Sequence, residues 1–274
     1  MIILPELHEK TDAGTVRAPG LQCDFFEGFS LVLADTERLR EEAFRLRYRV
    51  YVDEMKFERR EDCPGGLERD IFDRRAHAVL LRHNASRRYI GCVRLIVADP
   101  LDAAEPFPFE VAAIDQFARG SSVFRQTPRE RIGEVSRLAV INEFRRRKTD
   151  QEQGLYAIQE LERYAGDVRR HNIPPALGLV FAAAWLGIEI GLDAVFVMME
   201  MRLARLLRTL GLNFRQVAEP VEYHGLRAPF EITRDALLGD MSPRLKVALE
   251  LVRDNVTALS RADAPVARAA RAAH

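Results

Sequence analysis

Three charged side chains interrupt segments that otherwise have the composition of buried strands. Arg94 lies in the apolar run 89–97, and Glu134 and Arg137 lie in the run 132–140. A charge within an apolar strand is costly to bury unless it is paired. Pairing of Glu134 with Arg94 on an adjacent strand, or with Arg137, would supply a partner. The alternative is that all three point to solvent from a half-exposed sheet.

Two further groups of polar residues stand near these strands in the sequence. Arg47 begins the block Arg-Tyr-Arg-Val-Tyr, and Asp70 and Asp73 are spaced i and i+3 in the block Glu-Arg-Asp-Ile-Phe-Asp. A guanidinium fork matches a planar carboxylate bidentately. Arg47 and Arg137 are therefore candidate partners for these carboxylates or for a substrate carboxylate.

The elements that must position these residues form one mixed α/β domain with a central sheet. Apolar residues at helical spacing predict a helix from 35 or 36 to about 51, and further helices at 155–170, 174–191, 201–210 and 243–259. Alternating or apolar runs predict strands at 76–81, 89–97, 132–140, 194–199, 213–218 and 223–232. The proline-rich stretch 99–130 is predicted to be a long connection with one short helix, and such a connection is uncommon unless it covers a site. We expect a flexible arm at 1–22, the domain at 23–259 and a disordered tail at 260–274.

Composition excludes several classes of function. Lys and Arg number 41, Asp and Glu number 41, and 47% of residues are hydrophobic. The chain is too apolar for disorder, and zero net charge excludes a general nucleic-acid binder. The charge is uneven, because residues 53–73 carry eight acids and four bases whereas 125–148 carry eight bases and three acids. We predict two opposed functional patches, one acidic and one basic.

Cysteine spacing and hydropathy exclude further sites. The three cysteines form no CxxC or Cys/His pattern, so no disulfide framework or metal site is predicted. The N-terminus has no basic region of a signal peptide. The apolar stretch 174–199 is interrupted by Glu189, Gly191 and Asp193, which favours a buried helix followed by a buried strand over a membrane span. We expect a cytoplasmic protein.

Four short motifs occur in order along residues 36–145: R-x-x-V-Y at 47–51, E-x-D-x-F-D at 68–73, G-C-x-R-L at 91–95 and E-x-S-R-x-A-V at 134–140. Together they resemble the signature of acyl-homoserine-lactone (autoinducer) synthases. Later segments at 145–150 and 221–229 are more similar to N-acyl amino acid synthases and, most closely, to PEP-CTERM/exosortase-associated acyltransferases. The resemblance implies a GNAT-like (acyl-CoA N-acyltransferase) α/β fold, with a central mixed, mostly antiparallel sheet flanked by helices.

The resemblance also implies a reaction in which an amine attacks an acyl thioester. Such a site needs a carboxylate that positions or deprotonates the amine and donors for the thioester oxyanion. The catalytic candidates are Glu134, Ser136 and Arg137, with Glu134 holding or deprotonating the amine; the alternative for Glu134 is a structural salt bridge. Asp70 and Asp73 would bind a cationic amino group, or else form a solvated acidic loop. The full set of implied substrate-binding residues is Arg47, Tyr51, Phe57, Asp70, Asp73 and Arg94.

Two departures from the expected patterns affect the substrates. Phe57 stands where autoinducer synthases usually carry tryptophan, which argues against S-adenosylmethionine and a lactone-forming step but not against acyl transfer. The glycine-rich turn of ordinary GNAT enzymes is absent after strand 132–140, and a basic run takes its place, made of Arg145, Arg146 and Arg147. This run suits docking of an acidic acyl carrier protein or its phosphopantetheine phosphate; the alternative is a solvated charged turn.

The sequence therefore predicts an N-acyltransferase that moves a fatty acyl group from an acyl carrier protein or CoA thioester to the amine of an amino acid or a related small molecule. We expect no tightly bound cofactor, because acyl-ACP or acyl-CoA is a donor substrate. The expected partners are an acyl carrier protein and a small amine, with no nucleic acid and no membrane span. Two alternatives are an autoinducer synthase that uses S-adenosylmethionine and a non-catalytic protein that binds acyl carrier.

Overall fold

A computed structural model describes residues 25–112, 121–144 and 173–256, except 224 and 244. The predicted arm at 1–22, the predicted helix at 155–170 and the predicted tail at 260–274 lie outside the described residues. The division into arm, domain and tail therefore stays a prediction.

The described residues contain a mixed sheet, as predicted, and it has eight strands where six were predicted. Its strands are β1 (Phe29–Leu33), β2 (Ala76–His83), β3 (Tyr89–Val97), β4 (Ile132–Val140), β5 (Ala194–Met199), β6 (Arg215–Gln216), β7 (Val221–Glu222) and β8 (Leu226–Thr233). The strand order is β1-β2-β3-β4-β5-β8-β6, and β7 pairs with β8. Among these strands every pairing is antiparallel except that of β4 with β5, which is parallel.

Helices cover both faces of this sheet. They are α1 (Phe25–Gly28), α2 (Glu37–Arg47), α3 (Pro108–Ala112), α4 (Ser122–Gln126), α5 (Pro175–Ile190), α6 (Met201–Thr209) and α7 (Arg234–Asp240), and residues 245–256 form a further helix, α8. Short 3₁₀ turns lie at Arg60–Asp62, Pro64–Gly66, Ile71–Arg75, Arg129–Arg131 and Asn142–Phe144. The stretch 99–130 thus contains two short helices among its described residues, not one.

Local sequence explains the start and the end of α2. The hydroxyl of Thr36 accepts a hydrogen bond from the Leu39 amide, which satisfies one of the free N–H groups at the helix N-terminus. Leu39, Ala43 and Leu46 form the buried face. Beyond Arg47 the chain continues as a π-helix, Tyr48–Glu54, in which the hydrogen bonds span five residues instead of four. The helical segment therefore extends three residues beyond the predicted end near residue 51.

The apolar stretch 174–199 folds as a helix followed by a strand, as predicted. Pro175 begins α5, and Gly191, with φ of 87°, ends it in the left-handed conformation that glycine tolerates. The helix packs against β2, β3 and β4. Among the described residues, no helix has both the length and the apolar character needed to cross a membrane.

A second apolar cluster lies where the 99–112 connection covers the sheet. Phe107 and Phe109 stack with ring centroids 5.5 Å apart, and Phe109 also packs on Phe196 of β5. The guanidinium of Arg75 donates to the carbonyl oxygens of Val97 and Pro106 and so fastens the connection to β3. The long connection therefore covers the sheet next to the residues singled out in β4.

Candidate active site

The strands β4 and β5 separate along their length. They pair only where Ile132–Glu134 lies beside Ala194–Phe196, although β4 continues to Val140 and β5 to Met199. The strand ladder on this side of β4 therefore ends at Glu134. Beyond it, the backbone N–H and C=O groups of β4 that point towards β5 are left to other partners.

A cavity of about 230 Å³ occupies the gap between the two strands. Most of its wall is apolar and comes from β4, β5, α5 and α6, with small side chains on α5; examples are Val135, Ala183, Ala184, Val197, Leu203 and Leu207. Polar residues line it as well, among them Ser136, Arg137, Asp193 and Glu200. An apolar cavity with a few polar groups in its wall is typical of a small-molecule site.

Arg47 brings the acidic segment against the sheet. It is 2% exposed, and its Nη1 and Nη2 atoms donate to the two carboxylate oxygens of Asp73 at 2.6 Å and 3.1 Å. Its Nε donates to Glu68. Burial opposes ionisation of Asp73, but Arg47 and Arg94 outweigh it and lower the pKa of this carboxyl to about 2. The predicted pairing of Arg47 with this carboxylate is present.

Asp70 and Asp73 lie close together at the start of the 3₁₀ turn Ile71–Arg75. Asp70 caps the 3₁₀ turn Ile71–Arg75, since its side chain accepts from the Phe72 amide while the Asp73 side chain accepts from the Asp70 amide. Arg94 contacts both carboxylates through Nη1, at 2.7 Å and 2.9 Å. Arg94 also donates from Nε to the Ser136 hydroxyl at 3.0 Å.

Arg137 stands at a distortion of β4. Cys92 of β3 lies opposite Ala139 and Arg94 lies opposite Ser136, so β4 has one extra residue here, and Arg137 adopts φ of 53°. Its guanidinium donates to Glu68 at 2.9 Å and 3.1 Å. It also lies 3.4 Å from Asp70 and 3.6 Å from Glu58. The bulge turns Arg137 towards the acidic segment.

These contacts form one cluster of three guanidiniums and four carboxylates: Arg47, Arg94, Arg137, Glu58, Glu68, Asp70 and Asp73. The prediction of two opposed patches is wrong here, because Arg137 of the basic segment pairs with Glu68 of the acidic one. The most exposed acids of this cluster are Asp70 and Glu58, with side chains 26% and 27% exposed.

Glu134 lies outside this cluster. Its carboxylate accepts a hydrogen bond from the Phe109 amide at 2.9 Å and is 2% exposed. The predicted ion pair with Arg94 or Arg137 is absent among the described residues, since both arginines bind the carboxylates of the 68–73 turn. Burial raises the pKa of Glu134 to about 8. Glu134 shares a face of β4 with Ser136, but it does not itself line the cavity.

The two predicted aromatic residues line the cavity beside Arg137. Tyr51 donates its hydroxyl to the Leu138 carbonyl at 3.1 Å, and burial raises the pKa of this phenol to about 12. Phe57 stacks on Tyr51 with centroids 6.5 Å apart. The guanidinium of Arg137 lies 5.5 Å from the Tyr51 ring, and that of Arg227 lies 5.8 Å from the Phe57 ring.

Sequence patterns did not single out every residue of the site. Arg227, on β8, lines the cavity, and the Phe109 amide binds Glu134. Arg227 belongs to the block 221–229, which carried part of the sequence resemblance. That resemblance was the feature of the sequence that could have pointed to Arg227. The predicted carrier-binding residues Arg145, Arg146 and Arg147 lie outside the described residues.

Comparison with known proteins agrees with this geometry. Residues 46–153 match the family model of the acetyltransferase (GNAT) domain. The crystal structure of TofI in a ternary complex with an inhibitor and MTA superposes with a TM-score of 0.52, at 19% identity, over 79% of this chain and 99% of TofI. The chain has a GNAT fold.

Two further solved structures share the GNAT fold. BjaI, a CoA-dependent acyl-homoserine lactone synthase solved with MTA, gives a TM-score of 0.51 at 19% identity, over 77% of this chain and 87% of BjaI. The AHL synthase LasI gives 0.50 at 13% identity, over 78% and 95%. No curated protein sequence matches the chain. The predicted fold class is confirmed.

Proposed function

We propose that the protein is an N-acyltransferase that moves a fatty acyl group from a carrier-protein or CoA thioester to the amine of an amino acid or a related small molecule. The observation that carries this proposal is the gap between β4 and β5. It brings an apolar cavity beside an ion cluster in which the Asp70 side chain is 26% exposed. The apolar part suits an acyl chain, and the partly exposed Asp70 carboxylate suits an incoming ammonium group.

The thioester carbonyl is proposed to lie against β4. The N–H groups of β4 beyond Glu134 that face β5 have no partner strand in the described part of the chain, so they are available to the oxygen that gains negative charge during attack. Ser136 and Arg137 line this part of the cavity. Arg137 adds a fixed positive charge, because Glu68 and the Tyr51 ring hold its guanidinium.

The amine is received at Asp70. Asp73 is bound by two arginines and a backbone amide, whereas Asp70 keeps an oxygen whose nearest cation is Arg137 at 3.4 Å. Glu134 is proposed to accept the amine proton through water. A group with a pKa near 8 is well matched to that task at neutral pH.

An acyl carrier protein is the proposed donor. Arg202, Arg205 and Arg208 form an exposed row on α6, at positions i, i+3 and i+6, while Leu203 and Leu207 of the same helix line the cavity. A basic row beside the cavity complements the acidic surface of a carrier protein. The sequence resemblance to PEP-CTERM/exosortase-associated acyltransferases supports assigning the reaction to such a system.

The test is product analysis with purified components. The full chain is incubated with a fatty acyl carrier protein or the matching acyl-CoA, together with a pool of amino acids and amines, and N-acyl products are measured by mass spectrometry. An N-acyl product supports the proposal. Release of methylthioadenosine with acyl-homoserine lactone from S-adenosylmethionine would replace it with the autoinducer synthase. Tight binding of the acyl carrier without product from any acceptor would refute catalysis.

A further inference from the structure

Arg227 is a cavity-lining cation that no carboxylate of the described residues pairs with. Arg137, the other arginine of this part of the wall, is bound by Glu68 and Asp70. Glu200 lines the same cavity but forms no ion pair with Arg227. In addition, the Nε of Arg227 is buried and has no hydrogen-bond partner among the described residues. Buried donors without a partner are uncommon in native structures, and a functional role is one explanation for them.

The surroundings of Arg227 hold its guanidinium in place. Val221 of β7 pairs with Arg227 at the start of β8, and Ala228 pairs with Met199 at the end of β5. The guanidinium lies over the Phe57 ring, and Phe57 in turn stacks on Tyr51. A guanidinium held over an aromatic ring keeps its N–H groups free to bind an anion at its edge. Arg227 is therefore a preorganised anion-binding group at the cavity.

We propose that Arg227 binds the carboxylate of the acceptor and so selects amino acids over simple amines. This assignment rests on the proposed acyl-transfer function. A planar carboxylate fits the guanidinium fork bidentately. The other anion of the reaction, the phosphate of a phosphopantetheine arm, is separated from the reacting thioester by the length of that arm. Arg227 instead lines the wall that contains Tyr51, Ser136 and Arg137, where the thioester is proposed to react.

The experiment compares matched acceptors. On the α-carbon, phenylalanine carries a carboxylate, phenylalaninamide carries a neutral amide and phenethylamine carries only hydrogen; analogous trios are made for small and acidic amino acids. The wild-type chain is expected to favour the amino acid in kcat/KM. Arg227→Gln should reduce that preference by about 10- to 100-fold, the range of one charged hydrogen bond, mainly through KM of the amino acid. Arg227→Lys, which keeps the charge but not the fork, should restore part of the preference.

Arg38→Gln, at an exposed position of α2 away from the cavity, is the matched control. Thermal unfolding confirms that each variant is folded. If wild-type enzyme acylates amine and amino acid equally, or if Arg227→Gln keeps the preference, the assignment of Arg227 is overturned while acyl transfer stands. No N-acyl product from any acceptor overturns acyl transfer and this assignment together.

Discussion

Replacing Glu134 with glutamine removes an ionisable group from the sheet and leaves the shape of the side chain almost unchanged. The amide oxygen of the substituted side chain can still accept the hydrogen bond that the Phe109 amide gives to Glu134. The substitution therefore separates the effect of ionisation from the effect of packing. It tests both the buried state of this carboxyl and its proposed role as a proton acceptor.

The size of the effect follows from the pKa. Burial raises the pKa of Glu134 from 4.5 to about 8. The folded protein thus holds this proton more tightly than the unfolded chain, so Glu134 lowers stability as pH rises above about 4.5, and the loss is complete above about 8. At about 1.4 kcal/mol per pKa unit, the loss is about 3 kcal/mol at pH 7 and about 5 kcal/mol at pH 9.

The measurement is urea unfolding of wild type and Glu134→Gln at pH 5, 7 and 9. The free energy of unfolding of the variant, relative to wild type, should rise with pH by about 4 to 5 kcal/mol over this range. Glu250→Gln, at an exposed position of α8, should show no such trend. A difference between wild type and Glu134→Gln that stays constant with pH would refute the reasoning.

Activity gives the second part of the same test. If Glu134 accepts the amine proton, Glu134→Gln should lower turnover by about 10²- to 10⁴-fold. The wild-type rate should rise with pH and level off near the pKa of Glu134, and the variant should lose this rise. A more stable variant with equal turnover would leave Glu134 without a catalytic role.

Three further predictions follow from the cluster, the cavity and α6. Arg47→Met leaves Glu68 and Asp73 without their main partner and should lower the free energy of unfolding, measured with urea, by about 3–5 kcal/mol. The control Arg45→Met removes an exposed ion pair with Glu41 on the same helix and should lower it by less than about 1 kcal/mol. Ala184→Phe fills part of the cavity and should shift the products to shorter acyl chains, as measured by mass spectrometry. Products of unchanged chain length would contradict an acyl-binding site in this cavity. The double variant Arg205→Glu, Arg208→Glu should lower kcat/KM for acyl carrier protein by about tenfold at low salt and leave kcat/KM for acyl-CoA unchanged. An equal loss with both donors would contradict docking of the carrier on α6. A similar loss in the control variant Arg38→Glu would contradict it as well.

The sequence predicted the elements of the sheet better than the partners of the buried charges. Strand patterns located β3 and β4 correctly, at the residues where the structure has them. The pairing of Arg94 with Glu134 was wrong because two features decide which carboxylate binds Arg94. They are the register of β3 against β4 and the position of segment 68–73, whose Asp70 and Asp73 contact Arg94. Neither can be obtained from periodicity.

Short or irregular elements were the other source of error. Strand β1 was not predicted, since its run is only five residues long and its pairing with β2 is long-range. The bulge at Arg137 depends on the same β3–β4 register and leaves no mark in the sequence pattern. The raised pKa of Glu134 depends on its burial beneath Phe109, which comes from a connection that periodicity treats as loop.

The parallel contact of β4 with β5 has a consequence for the stability of the whole molecule. In the described structure, the strand ladder between the β1–β4 half of the sheet and the β5–β8 half has three residue pairs. A molecule that binds between β4 and β5 and contacts both halves therefore adds stabilising contacts where these two strands are not paired. A ligand that binds only the folded state raises the melting temperature, and the rise grows with its affinity at a fixed concentration. A thermal-shift screen of acyl donors should consequently rank them by affinity before any acceptor is known.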